Sequence, residues 1–280
     1  MRPFPARRRP WLSQERPLIL ITNDDGIRSP GLRAAVEAVA DLGEVFVVAP
    51  QDQQSGTGRA IVGQRGQTPV EESLLVWGTP MKAYSVAGSP AMAVLYALLV
   101  LVPRRPSLAI AGINYGENLG TDVTVSGTVG AALEAADLGV PALAVSLEAD
   151  KAYHYAPSTE LDLRAAQHFL RFFAQRMLTT PLPDDVDVLK VDVPRNATLS
   201  TPWRVTRQSR RRYHQAFASP RGTTRGAPCL DYEALRAFDG VEEDSDIWAM
   251  RVGGLVSVTP LSLDATSRVC LQDLEGLLRG

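Results

Sequence analysis

The stretch Leu18-Ile19-Leu20-Ile21-Thr22-Asn23-Asp24-Asp25-Gly26 decides the fold. Four branched apolar residues in a row read as a strand buried on both faces, the pattern of a parallel sheet covered by helices. The run stops at two adjacent carboxylates and a glycine. Ser29-Pro30-Gly31 then leads into Leu32, Ala35, Val36 and Val39 at helical spacing. Strand, acidic turn and helix in succession make one unit of an open α/β sheet, whose ligand crevice lies outside the carboxyl ends of the strands. Asp24 and Asp25 fall there. Two neighbouring carboxylates repel, so the pair costs free energy unless a cation neutralises it or one group stays protonated. A hard cation is the simplest reading; the competing one gives the pair only a capping role, for which one Asp would suffice.

The same alternation continues outward from this unit. Residues 44–49 read as a second strand and are followed by the polar loop 51–59, which contains Ser55-Gly56. Short strands are predicted at 74–77 and 83–86 around a turn at Gly78-Thr79-Pro80. Ser89 caps a helix with Pro90 in its first position, and Pro103 ends it. Residues 107–113 form another buried strand and run into the densest polar cluster of the chain, Asn114 to Asp122, closed by Ser126-Gly127-Thr128. A helix over 129–138, a strand over 141–146, a helix over 161–177 and a strand over 186–193 complete a β-α-β series, which implies a mostly parallel sheet with helices on both faces.

From about residue 201 the pattern changes to strand-like pieces, such as 203–206, among arginines, glycines and prolines. The chain therefore divides into a basic, proline-rich leader (1–16) read as disordered, an α/β core (17–200) that holds the polar loops, a β-rich arm (201–250) suited to self-association, and a closing strand and helix (251–280). The leader lacks the apolar centre of a secretory signal, and the longest apolar stretch, 91–102, is shorter than the ~20 residues that span a bilayer. With 45% hydrophobic and 21% charged residues among 280, the composition is that of a soluble globular protein. A net charge of −2 argues against nucleic-acid polymers as partners. Cys229 and Cys270 have no metal-type spacing and fit a reducing, cytoplasmic compartment.

Three polar loops each follow an apolar strand: Asn23-Asp24-Asp25, Ser55-Gly56, and Asn114 through Thr128. If the strands are neighbours, the loops converge. Two carboxylates, a hydroxyl and an amide oxygen then form an all-oxygen set suited to Mg²⁺ or Mn²⁺. Ser126-Gly127-Thr128 at the start of a helix is either a simple cap or a phosphate cradle of free N–H groups. Beside a metal loop the cradle is favoured, and the pair points to phosphate-ester hydrolysis. His214, in the run Arg210-Arg211-Arg212-Tyr213-His214, reads as arm surface.

These residues resemble a known family. Asn23-Asp24-Asp25-Gly26, Ser55-Gly56, Gly112-Ile113-Asn114 with Asn118-Leu119-Gly120, Ser126-Gly127-Thr128-Val129 and Val256-Ser257-Val258-Thr259-Pro260-Leu261 are similar, in the same order, to the motifs of the SurE family of nucleotidases. The resemblance implies a Rossmann-like core, hydrolysis of nucleoside 5′- and 3′-monophosphates and of short polyphosphate, one divalent metal ion per subunit, and dimers or tetramers built through C-terminal arms. It assigns metal ligation to Asp24, Asp25, Ser55 and Asn114, and phosphate contact to Gly56, Asn118, Ser126, Gly127 and Thr128; catalysis is expected of Asp24 and Asp25, with Asp24 the first candidate for the general base and a solvent relay the second. Tyr115 and Glu117 stand where the family usually has small residues or proline, and Val125 where it often has tyrosine.

Two other classes compete with this reading. A receiver-type switch also has an acidic pair after its first strand, but it needs a phosphoacceptor Asp after the third strand and a later Lys, and here the central strand ends in Ile113-Asn114. A nucleotide-binding protein without hydrolysis would use the same cradle and metal.

Overall fold

The computed structural model describes residues 16–64, 66–154, 161–219 and 229–279. In chain order the strands are β1 (Leu18–Thr22), β2 (Glu44–Pro50), β3 (Val70–Val76), β4 (Thr79–Val86), β5 (Leu108–Tyr115), β6 (Ala142–Leu147), β7 (Val188–Val193), β8 (Trp203–Val205), β9 (His214–Ser219), β10 (Cys229–Ala234) and β11 (Val256–Leu261). The helices are α1 (Pro30–Val39), α2 (Pro90–Tyr96), α3 (Gly127–Asp137), α4 (Arg164–Thr179), α5 (Asp246–Arg251) and α6 (Leu271–Arg279). Among the described residues one sheet runs β3-β4-β2-β1-β5-β6-β7-β11-β8, and β9 and β10 pair separately as an antiparallel hairpin.

The strands from β4 to β7 are all parallel, as the continuous apolar runs require. Within this sheet, among the described residues, antiparallel strand pairs lie only towards the two edges, β3 on β4 and β11 on β7. β1 is central and wholly buried. Its Ile19 and Ile21 pack under α1 and α4, while Leu20 packs under α2 and α3 on the other face. The sheet is thus covered on both sides, and the α/β, Rossmann-like expectation holds. No helix among the described residues is long and apolar enough to cross a membrane.

Helix starts follow the local chemistry. The Ser29 hydroxyl accepts from Gly31 N, Ser89 from Met92 N and Ser126 from Val129 N, each satisfying an orphan donor of the first turn. α2 widens over Ala97–Leu101 into a π turn before Pro103 stops the run.

Several details differ from the sequence reading. The turn between β3 and β4 is Trp77-Gly78, both at positive φ, because Val76 pairs with Thr79 and a two-residue hairpin loop of this kind needs left-handed backbone at both central positions. β8 and α5 pack onto the core: β8 pairs in parallel with β11, and α5 contributes Ile247 and Met250 to a small cluster with Leu119 and Tyr213. The part of the arm outside the large sheet and α5 is therefore the β9–β10 hairpin. The leader reading falls outside the described residues except for Arg16, whose guanidinium donates to the carbonyls of Ala40 and Asp41 behind α1.

Candidate active site

β1, β2 and β5 are adjacent and parallel, so the loops after them leave the same edge of the sheet. Backbone bonds then tie the loops together. Gln54 N donates to the Asp24 carbonyl (2.7 Å), and Gly58 N donates to the Val125 carbonyl (2.9 Å). Close approach of α3 to the loop after β2 depends on glycine, since a Cβ at Gly130 would stand 2.2 Å from the Gly58 carbonyl oxygen. The result is one open cavity of about 400 Å³. Asp24, Ser55, Gly56 and Asn114 line it from the first two loops and the end of β5; Asn118, Ser126 and Gly127 line it from the third loop and the start of α3.

Asp25 is buried just behind this surface. One of its oxygens accepts from Gln53 Nε2 (3.1 Å) and the other from Tyr115 N (3.4 Å). Gln53 was not singled out by the sequence; only its position two residues before Ser55 places it here. Burial raises the pKa of both carboxyls. For Asp25 the charge of Asp24 adds to burial, while for Asp24 the hydrogen bonds from Thr128 work against it. Each proton is therefore held more tightly than in a free carboxylate, the electrostatic mark of a site that lacks positive charge. The Tyr115 hydroxyl, buried and facing the charge of Asp25, is pushed up to about 12.

The anticipated three-residue cradle narrows to one amide. Ser126 N donates to the Asp122 carbonyl (3.2 Å). The Thr128 side chain is fully buried, and both its hydroxyl and its amide serve Asp24 Oδ1 and its carboxylate. Thr128, of which phosphate contact is expected, thus also has a supporting role: it holds Asp24 in place. Gly127 N has no protein partner among the described residues and sits at the positive end of α3. Asn118 donates one side-chain N–H to Ser146 Oγ (2.8 Å), which leaves the second for a ligand.

Asn118 is held from below by a charged group that the sequence reading missed. Its amide donates to Asp192 (2.8 Å) and its carbonyl accepts from Lys190 Nζ (2.7 Å). Lys190 also pairs with Asp192 and with Asp246 (3.3 Å), and Asp246 accepts from the amides of Gly120 and Ser209. All three side chains are fully buried. Burial opposes the Lys190 charge, yet the two carboxylates outweigh it and hold the ammonium above its ordinary value; burial also lifts Asp192 to about 6. A lysine alternating with an aspartate in β7 looks like a solvated strand face, and nothing local reveals partners more than fifty residues away.

The far wall of the cavity belongs to the arm. His214, expected on its surface, lines the cavity with Arg212, Leu230 and Tyr232. The carboxylate of Asp122 accepts from His214 N (2.6 Å) and lies 3.0 Å from His214 Nδ1, which fixes the ring.

Comparison with known proteins agrees with this geometry. A family model described as "Survival protein SurE" matches residues 19–215. A protein of Thermococcus gammatolerans named 5′-nucleotidase SurE is 41% identical over 264 residues, covering 94% of this chain and 96% of its own length. One of the same name from Thermococcus kodakarensis is 40% identical, covering 93% and 98%. The crystal structure of the SurE protein from Aquifex aeolicus superposes with a TM-score of 0.72 at 31% identity, covering 94% of this chain and all of that one. With a family model matched over well more than half its length and relatives matched nearly end to end, the chain belongs to the SurE family.

Proposed function

We propose that this protein is a phosphomonoesterase, dependent on one Mg²⁺ or Mn²⁺ ion per chain, that releases phosphate from nucleoside 5′-monophosphates. The observation that carries the proposal is the meeting in one cavity of Asp24, backed by the buried Asp25, with the amide of Gly127 at the start of α3. The relatives' name, 5′-nucleotidase, supports the substrate class. Action on 3′-monophosphates and short polyphosphate extends the same chemistry.

The residues present fit a hard cation. Among the described residues no group of three or more His, Cys, Asp or Glu side chains is placed to hold a metal. The proposed centre uses Asp24 and Asp25, completed by the neutral oxygens of Ser55 and Asn114, an all-oxygen donor set. The Asn114 amide nitrogen is engaged by the Gly116 carbonyl (2.6 Å), which leaves its oxygen for an ion. When bound, the ion supplies Lewis acidity towards the phosphoryl group and makes water nucleophilic near neutral pH. Gly127 N, fixed at the helix start, stabilises charge developing on a phosphoryl oxygen without reorganising. Asn118 and Gly56 flank the group, and Asp24, ionised beside the cation, is the proposed base that accepts a proton from the attacking water.

Self-association through the C-terminal region belongs to the same proposal. Every residue of α6 is without burial, including Leu271, Leu274, Leu277 and Leu278 on an amphipathic helix, and Phe217 is exposed on the hairpin. A second copy is the occupant proposed, giving a dimer or tetramer that sedimentation would resolve. Cytoplasmic residence is proposed as well, in keeping with two exposed cysteines, Cys229 and Cys270, that are not joined in a disulfide.

The test is a panel of nucleoside 5′- and 3′-monophosphates, tripolyphosphate and a phosphodiester, assayed by phosphate release with Mg²⁺ and with Mn²⁺. Turnover of the 5′-monophosphates and not of the diester is expected. Tight binding of nucleotides without turnover would replace the enzyme by a binding protein.

A further inference from the structure

The two ends of the cavity differ in chemistry. One end carries Asp24, Ser126 and Gly127; the other is walled by the β9–β10 hairpin, with His214, Ala216, Leu230 and Tyr232 beside Asp231. About 400 Å³ is the volume of a small-molecule site, more than a phosphoryl group needs. At the hairpin end Tyr232 and His214 meet edge to face, with ring centroids 5.5 Å apart and an interplanar angle of 87°. Asp122 holds the His214 ring, and Lys151 lies over the Tyr232 ring at 4.3 Å, so both rings are anchored.

Glu117 supplies an independent observation. It lines the same cavity and is only 7% exposed. Its Oε1 accepts from the Tyr213 hydroxyl (2.7 Å), while its buried Oε2 has no hydrogen-bond partner among the described residues. A buried carboxylate oxygen without a donor costs free energy until one arrives. A donor-rich ligand group meets that need, and an aromatic platform beside it takes a flat ring.

We infer that the β9–β10 hairpin together with Glu117 forms the nucleoside subsite of this cavity, with the base against Tyr232 and a ribose hydroxyl donating to Glu117. The inference rests on the phosphomonoesterase reading above and goes further: it gives the arm a role in substrate choice within its own chain. Tyr232 and Glu117 act as specificity-determining residues, remote from the reacting phosphorus.

The experiment compares kcat/KM for adenosine 5′-monophosphate with that for methyl phosphate, which has neither sugar nor base, in the wild type and two variants. Tyr232→Ala is expected to lower the ratio of the two values about tenfold, the usual effect of losing one base–aromatic stack. The double variant Glu117→Leu, Tyr213→Phe removes both partners of the carboxylate bond and so leaves no orphan; it is expected to lower the same ratio severalfold and to abolish discrimination against 2′,3′-dideoxyadenosine monophosphate. Turnover of methyl phosphate reports that each variant is folded. A ratio unchanged in both variants overturns the subsite while leaving the phosphatase reading intact. A wild type that hydrolyses neither ester overturns that reading, and the subsite with it.

Discussion

Replacing Gly127 with alanine adds one methyl group at the centre of the site. That Cβ would stand 2.8 Å from both Cβ and Oδ2 of Asp24. An ordinary contact is about 3.5 Å, so the two groups must separate by about 0.7 Å. Asp24 cannot yield freely, since Thr128 holds its carboxylate and Gln54 N holds its carbonyl. Displacement of a reacting group by about 1 Å costs on the order of a hundredfold in rate, or ~2.7 kcal/mol of transition-state stabilisation. We expect kcat/KM for adenosine 5′-monophosphate to fall about a hundredfold and the apparent Mn²⁺ affinity to weaken with it, with Gly127→Val worse still. The fold should survive, because alanine suits the first turn of a helix better than glycine. The assay is phosphate release across a Mn²⁺ titration, with thermal unfolding as the control. Activity within twofold of wild type at an unchanged Tm would refute the role given to the Gly127–Asp24 contact.

Other outcomes follow from the same geometry. Ser126→Ala removes the cap on Val129 N, and we expect about 1 kcal/mol of lost stability by urea unfolding, with kcat/KM down on the order of tenfold and less affected than in Gly127→Ala. Lys190→Met strands Asp192 and Asp246 in the interior and should cost ~3–5 kcal/mol at pH 8; the loss should shrink at pH 5, where Asp192, already lifted to about 6, takes up a proton. For the metal-free protein, the raised pKa values of Asp24 and Asp25 mean that the folded state holds protons the unfolded chain releases. Their stabilising contribution is therefore present below the unfolded carboxyl pKa and is lost as pH rises through the folded values. The Tm in EDTA should fall between pH 5 and pH 8 while the increment from Mn²⁺ grows; a Mn²⁺ increment that shrinks over that range would contradict the assignment.

The core of the site was legible because its signals are local. Leu18 to Ile21 is a doubly buried strand by composition alone, and Asp24, Ser55 and Asn114 each follow such a strand, so parallel pairing brings them to one edge. What the sequence hid depends on partners far along the chain. Thr128 looks like a cap residue, and only the fold brings Asp24 to its hydroxyl across 104 positions. Lys190 and Asp192 imitate the polar face of an edge strand, but β7 lies between β6 and β11, so both charges are buried. The Trp77-Gly78 turn was misplaced by one residue because proline at position 80 is a stronger local signal than a tryptophan at positive φ. The hairpin wall was invisible for a related reason: His214 and Tyr232 face each other only once β9 and β10 pair.

Phosphate release from adenosine 5′-monophosphate after exhaustive treatment with EDTA, followed by graded return of Mn²⁺, tests the central claim most directly. The account predicts no release in EDTA and saturable recovery with the metal. It also predicts that Asp25→Asn will need far more Mn²⁺, because a formal charge has left an all-oxygen site. Undiminished hydrolysis in EDTA, or recovery unaffected by Asp25→Asn, would contradict it.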